Sequence, residues 1–308
     1  MTSLFAYRAA GALLTIIVVV SSVFIVIRLT GDPVSQLLPF DYTPEQKASL
    51  EKELGVDKPL PEQYFIFLKN GVRGDFGESF RWKESGFGLV MQRLPATLKL
   101  AGVAFVISLS VAIPLGTIAA AKRGTVTDSG VGVLTTVGMA LPNFVLAVLL
   151  VWFIAVELRW LPVGGMSGPK SYILPAVTLA AFPIASLTRI VRSAVADTLN
   201  QDYIRTARAK GLSSQIVLRR HALRSSMIPI LTILGIQWSA FIGGSVIVET
   251  IFAWPGVGRL MAEAISSRDF AVVQSGVVVI TALVVTTNFL TDLAYLAVDP
   301  RYRAGSRG

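Results

Sequence analysis

Residues 100–121 read LAGVAFVISLSVAIPLGTIAAA, with no charged side chain from end to end. At about 1.5 Å of rise per residue, a helix of this length crosses a bilayer core about 30 Å thick. A buried helix of a soluble protein rarely runs so far without a charge. Five more runs share this character: Ala9–Ile27, Val131–Val156, Tyr172–Leu187, Ile228–Val248 and Ala271–Leu290. The Tyr172–Leu187 run is short and carries Pro175 and Pro183, and Pro114 and Pro142 interrupt two others. Such prolines either kink a span so that backbone groups face a cavity or are simply tolerated there. The pattern predicts an all-α integral membrane protein with six transmembrane helices.

Composition agrees. Of 308 residues, 53% are apolar and 15% charged, and the mean hydropathy is +0.64. That leaves too little charge to coat an ordinary soluble enzyme. The absence of cysteine excludes disulfides, iron–sulfur clusters and thiolate zinc. The single histidine, His221, is flanked by Arg220 and Ala222–Leu223–Arg224, with no carboxylate to help it hold a metal. Glycine is nowhere followed by lysine, so no phosphate-cradling G-x-x-x-x-G-K-[ST] loop exists. Ser245 follows Gly243–Gly244 but has no base beside it in the sequence. No catalytic residues are expected.

The first run exceeds a typical signal-peptide core, and Arg28–Leu29–Thr30–Gly31–Asp32 is no small-residue cleavage site. It reads as an uncleaved span. With the N-terminus inside, the inner segments collect Arg8, Lys122, Arg123, the cations from Arg189 to Arg224, and Arg301, Arg303 and Arg307. The short outer loops hold only Arg159 and Lys170, and Arg259 and Arg268. Positive charge concentrates on the cytoplasmic side of membrane proteins, so both termini are expected inside a cell (inner or plasma) membrane. The net charge of +9 is then a topological signal, and nucleic acid is not an expected partner. Trp152, Trp160 and Trp254 near span ends fit interfacial anchoring.

Three regions follow: 1–30 with the first span, an extracytoplasmic segment at 31–95, and a five-helix core at 96–308. In the outer segment, Thr43 followed by Glu45 and Gln46 predicts a helix start, with Gly55 as its stop. The core carries a cytoplasmic loop at 192–227, far longer than a helical hairpin requires. Its centre runs Asp202–Tyr203–Ile204–Arg205–Thr206–Ala207–Arg208–Ala209–Lys210–Gly211–Leu212–Ser213. This predicts a helix with Tyr203, Ala207 and Lys210 along one face, ended by Gly211 in the left-handed conformation. Ser213 would cap a second helix reaching about Arg224, and Pro229 would open the fifth span. Two readings stand: a hairpin lying on anionic lipid heads, or a docking surface whose small-residue turn lets another protein approach the backbone.

At these residues the sequence resembles the permease subunits of ATP-binding-cassette importers, and within them the dipeptide/oligopeptide/nickel branch. Asp202 to Leu212 is similar to that branch's Asp-Tyr-x-Arg-Thr-Ala-Arg-Ala-Lys-Gly-Leu. The family's general Glu-Ala-Ala motif carries Arg205–Thr206–Ala207 here, and its closing Ile-x-Leu-Pro carries His221–Ala222–Leu223–Arg224. The similarity extends through Gly31–Asp32–Pro33, Gly74–Asp75–Phe76–Gly77, Leu94–Pro95–Ala96–Thr97, Pro142–Asn143–Phe144, Trp160–Leu161–Pro162, Gly244–Ser245–Val246, Trp254–Pro255–Gly256 and Asp299–Pro300–Arg301.

The resemblance implies a type I ABC importer permease fold with a coupling helix on the cytoplasmic loop. It implies three kinds of partner besides the lipid bilayer: a second homologous permease subunit, two cytoplasmic ATPases and an extracytoplasmic substrate-binding protein. Asp202, Tyr203, Arg205, Thr206, Ala207, Arg208, Ala209, Lys210, Gly211 and Leu212 would form the ATPase-coupling contact. ATP and Mg would be bound by the partner ATPases, and this chain would hold no cofactor. Peptides are the solute the resembled branch suggests. A self-contained secondary transporter or channel is the alternative, but ion-coupled carriers generally place ionisable groups at mid-membrane and these span centres carry almost none. The deeper polar residues are Asn143, Gln237 and Asn288, with Glu249 near the outer end of the fifth span and Asp292 near the inner end of the sixth. Asn143, Gln237, Glu249 and Asn288 either line the solute path or make interhelical hydrogen bonds.

Overall fold

The computed structural model describes residues 2–30, 42–53 and 57–298. Gly31–Asp32–Pro33, Gly55, Asp299–Pro300–Arg301 and the remaining C-terminal arginines lie outside the described residues, as does the side chain of Asp292. Among the described residues the chain is helical apart from loops and one isolated bridge between Glu78 and Ser85. The helices are α1 (Thr2–Thr30), α2 (Pro44–Glu53), α3 (Leu60–Val72), α4 (Gly86–Ala121), α5 (Val126–Ala140), α6 (Asn143–Leu150), α7 (Ile173–Leu199), α8 (Asp202–Ala209), α9 (Ser214–Ile216), α10 (Arg224–Ile251), α11 (Val257–Ser266) and α12 (Phe270–Val298). Two π-helical turns, Val151–Glu157 and Val217–Leu223, continue α6 and join α9 to α10.

Five segments are long and apolar enough to cross a membrane alone: Ala9–Leu29, Gly86–Ala121, Pro169–Leu199, Ile233–Ile251 and Phe270–Thr291. The pair Val126–Ala140 and Asn143–Glu157, which meet at a 99° bend, makes a sixth when the two helices are counted as one broken span. The sequence reads this third span as one run, and the structure corrects it. Leu141 is extended at φ −80°, ψ 116°, the conformation that a following proline imposes. Pro142 then leads into α6 with φ −62°. Pro114 and Pro183 sit inside unbroken helices, and Pro175 falls in the first turn of α7, where a missing N–H costs little. Pro229 does not open the fifth span; it lies within α10.

The described chain divides into two compact units. One comprises Thr97–Trp254 and the residues from Thr287 on. Its hub is α7, packed by α5, α6 and α10. The inner face of α7 is fully buried at Leu187, Val191 and Val195. Helix α4 approaches it through Gly116, where a Cβ would stand 2.7 Å from the Thr188 carbonyl oxygen. Small residues let membrane helices come this close. Trp254 is wholly buried, with its ring 4.6 Å from that of Tyr172 at an edge-on angle. It is therefore a packing residue rather than an interfacial anchor, whereas Trp152 and Trp160 are exposed.

The other unit comprises Thr2–Ala96 and Pro255–Thr286. Phe24, Tyr64, Phe67, Phe76 and Phe87 form a chain of ring contacts through it. A second core gathers Leu89 and Val90 with Val257, Leu260, Ala264 and Val272. Helix α2 starts as expected: Thr43 N–H donates to Gln46 Oε1 at 2.9 Å and Gln46 N–H to Thr43 Oγ1 at 3.3 Å, a reciprocal capping box.

Candidate functional site

Segment 192–227 consists of the end of α7, a short turn, α8, a second turn, and a helical run through α9 and the π turn into α10. Helix α8 is short, and two residues hold it down. Ile204 has no exposed surface and Ala207 is nearly buried; they lie three apart on one helix face. That face joins a core of Val191, Val195 and Ala196 on α7, Val217 and Ala222 on the π turn, and Ile230 on α10. Burying one isoleucine contributes about 2 kcal/mol. The buried stripe is thus set by Ile204, the helix's single large aliphatic residue, with Ala207 beside it. Tyr203 and Lys210 face outward.

The outer face is open. Asp202 and Arg205 side chains are almost fully exposed, and Tyr203, Thr206, Arg208, Ala209, Lys210, Gly211 and Leu212 are exposed as well. Gly211 has φ +77°. Its N–H donates to Arg208 O at 3.0 Å and Leu212 N–H to Ala207 O at 3.4 Å, the paired bonds of a Schellman ending. A Cβ on Gly211 would meet nothing within 4 Å, so the turn is fixed by backbone conformation and its surface is clear. Ser213 takes the extended conformation of a cap position, but its side chain makes no capping bond. Arg205, Arg208, Lys210, Arg219, Arg220 and Arg224 are all exposed around this turn, against Asp197 and Asp202. The field is cationic and would favour an acidic or mixed-charge partner surface.

The hairpin stands on stiff supports. Thr198 Oγ1 and Ser226 Oγ share a hydrogen bond at 2.9 Å, and Ser226 Oγ also donates to Ala222 O at 2.8 Å. These bonds join α7 to the run leading into α10 at the root of the loop. Nearly two turns further into α7, Arg192 meets Asp128 of α5 with Nε–Oδ1 at 2.5 Å and Nη2–Oδ2 at 2.8 Å. Asp128 also accepts from the Gly124 N–H at 3.0 Å. Arg192 and Asp128 are far apart in the chain, and no local motif pointed to the pair. The fork geometry adds both energy and orientation. Helix α8 is thus joined to the fourth and fifth spans through short turns and through the packing of Ile204 and Ala207 against both.

The four candidate path residues are dispersed. Asn143 is half-buried at the start of α6, directly after the break, and makes no hydrogen bond among the described residues. Gln237 is buried, and its Nε2 donates to Pro183 O at 3.4 Å. Glu249 is wholly buried and accepts from Thr97 Oγ1 at 2.7 Å. Asn288 is exposed and accepts from Ser239 Oγ at 2.8 Å. Arg259 has its Nε 2.9 Å from Glu263 Oε1. Among the described residues no cluster of His, Asp or Glu is placed to hold a metal.

A multi-span helical protein that presents a rigid cationic hairpin on two span extensions is built as a membrane component of a transport system. Family comparison agrees: residues 112–304 match the binding-protein-dependent transport system inner membrane component model, and residues 1–101 match its N-terminal model. The chain belongs to this family of binding-protein-dependent transport system inner membrane components. The oligopeptide transport system permease AppB of Bacillus subtilis is 37% identical over 88% of this chain and 89% of its own length. The di/tripeptide transport system permease DppB of Pseudomonas aeruginosa is 35% identical over 91% of this chain and 92% of its own. The fold is shared with solved importers. An inward-facing MetNI methionine ABC transporter chain aligns at TM-score 0.60 and 18% identity over 68% of this chain and 96% of that one. A chain of an amino acid ABC transporter aligns at TM-score 0.51 and 19% identity over 70% and 94%. The fold is that of type I ABC importer permeases, and the self-contained carrier gives way to a multi-pass inner-membrane transport component.

Proposed function

We propose that this chain is one of two permease subunits of an ATP-driven importer for di- and oligopeptides. Its cytoplasmic hairpin receives an ATPase, a second permease completes the pathway, and an extracytoplasmic binding protein delivers solute. The observation that carries this reading is the two-faced docking helix. Ile204 and Ala207 seal its inner face to the spans, while the residues from Asp202 to Leu212 otherwise stay exposed beside a bare glycine turn. A helix merely resting on lipid would need neither. Closure of the ATPase pair would move α8 as a rigid lever and shift α7 and α10 with it.

Both termini lie in the cytoplasm in this arrangement. The chain carries no catalytic group of its own; ATP and Mg are handled by the ATPases. Peptide transport by AppB and DppB supports the solute class. Among the four polar candidates, the open hydrogen-bonding capacity of Asn143 at the span break supports a path-lining role. The bonds of Gln237, Glu249 and Asn288 support interhelical roles as well.

The test is reconstitution. The chain, its partner permease, the two ATPases and the binding protein are co-purified and placed in liposomes. ATP-dependent uptake of small peptides is expected, with hydrolysis stimulated by loaded binding protein. Peptide accumulation by this chain alone under an ion gradient would overturn the proposal.

A further inference from the structure

The exposed faces of most spans are apolar. Leu13, Leu14, Ile17 and Val18 on α1 and Val106, Val111 and Ile118 on α4 suit contact with lipid. The inner half of α7 differs. Its buried face is Leu187, Val191 and Val195, and its opposite stripe carries the half-buried Ser186 and the exposed Arg189, Ser193 and Asp197. These residues follow at intervals of three, four and four, which places them on one stripe.

Arg189 is exposed and has no carboxylate partner among the described residues. Its Nη1 lies 3.7 Å from the Met139 sulfur, in the last turn of α5 before the break at Leu141–Pro142. With Ser186, Ile190, Ser193 and Met139 it lines a groove of about 310 Å³. Counting from Ile173, Arg189 sits about 24 Å along α7 at about 1.5 Å per residue. That puts it toward the inner edge of a bilayer core about 30 Å thick, where the first of the cytoplasmic-side cations is expected. An unpaired arginine at such depth faces water or a bound anion rather than lipid tails. A helix break at membrane depth likewise persists where the backbone lines a cavity or is buried in protein.

We infer that the stripe Ser186–Arg189–Ser193 lines the inward half of the solute path and that Arg189 binds the carboxylate of the passing solute. This rests on the import function proposed above. The guanidinium fork matches a carboxylate with two parallel hydrogen bonds, and the two serine hydroxyls lie one turn above and one turn below to donate further. The stripe stands on the same helix that leads into the docking hairpin. Movement of that hairpin would turn the stripe and release the anion.

The protein's lack of cysteine gives a direct test in the complete importer complex. Ser186→Cys, Ser193→Cys and Val106→Cys variants are treated with matched anionic and cationic membrane-impermeant thiol reagents from the cytoplasmic side. Labelling of positions 186 and 193, but not 106, is expected. The anionic reagent should react at least threefold faster, with that preference lost in Arg189→Gln and retained in Arg189→Lys. In the same vesicles, uptake of trialanine should fall at least tenfold in Arg189→Gln, and trialanine amide should be a poor solute for the unaltered complex. Equal labelling by both reagents, or positions 186 and 193 as silent as 106, would overturn the assignment. So would normal trialanine uptake by Arg189→Gln, the result expected if the arginine holds a lipid phosphate. If the unaltered complex takes up no peptide while the anion preference persists, the peptide reading fails and the anion path stands.

Discussion

Arg192 of α7 grips Asp128 of α5 through two parallel hydrogen bonds, at 2.5 and 2.8 Å, and so ties the fourth span to the start of the third. Asp128 is 8% exposed and Arg192 37% exposed at the side chain, so solvent screens one side of the pair. Loss of either partner should destabilise the protein, by an amount that this screening reduces. Asp128→Ala and Arg192→Ala should each lower the thermal midpoint of the purified complex. The double variant should lose less than the sum, because one fork is being removed twice. Arg192→Lys keeps charge but loses the planar fork and should recover only part of the loss. Strict additivity would show that the contact carries no coupling.

Gly211 combines a left-handed backbone with an unobstructed surface. The two properties separate by substitution. Asparagine tolerates this conformation, so Gly211→Asn should leave the turn in place and support near-normal uptake. Gly211→Trp adds backbone strain of about 1–2 kcal/mol and fills the approach. It should still insert in the membrane, but uptake per ATP hydrolysed should fall at least tenfold and ATPase co-purification should weaken. Full coupling in Gly211→Trp would count against a protein partner at this turn.

The two faces of α8 should respond oppositely. Ile204 is fully buried, and Ile204→Ala should cost about 2–4 kcal/mol by the usual range for core truncations. It should show as a lower thermal midpoint and as easier proteolysis of the hairpin. Tyr203 is about half exposed. Tyr203→Ala should leave the midpoint within about 1 °C, since surface changes are usually within about 0.5 kcal/mol, yet weaken ATPase binding several-fold in a pull-down titration. Matching stability losses in both variants would mean that Tyr203 is packed rather than presented.

How far the chain explains itself differs by element. The spans were legible because uncharged length alone decides membrane insertion. The α8 ending was legible because Gly211 supplies a left-handed residue few others accept. The break in the third span was not: Pro142, Pro114 and Pro183 look alike in sequence, yet Pro142 alone of the three ends a helix. The run through Pro229 was missed for the same reason, since a helix held by neighbours can absorb a lost N–H. The Arg192–Asp128 and Thr97–Glu249 contacts join distant segments, and no periodicity encodes them. The stripe through Arg189 needed the burial pattern of α7, because the Tyr172–Leu187 run stops just short of it.

The charge distribution makes a topology prediction independent of any partner. A reporter active only in the cytoplasm should be active when fused after Gly211 and silent when fused after Lys58. A reporter active only outside should give the reverse. Exposed Arg205, Arg208 and Lys210 around the first fusion point favour the inner side. The opposite pattern would invert the chain and remove the cytoplasmic hairpin.

Glu249 and Thr97 meet in the buried interior. The carboxylate is wholly buried and accepts from Thr97 Oγ1 at 2.7 Å. Its own backbone oxygen accepts from the Trp254 N–H at 2.8 Å, at the turn where Trp254 packs on Tyr172. If the side chain serves packing, shape matters more than charge. Glu249→Gln keeps the acceptor and should hold trialanine uptake within about twofold, a barrier change of about 0.4 kcal/mol. Thr97→Val removes the donor without changing volume and should cost about 1–3 kcal/mol. Glu249→Ala leaves a cavity and removes the Thr97 acceptor, and should be the least stable of the three. A different ordering, with Glu249→Gln stable but at least tenfold slower in uptake, would make the charge itself part of transport and move Glu249 from the scaffold to the path.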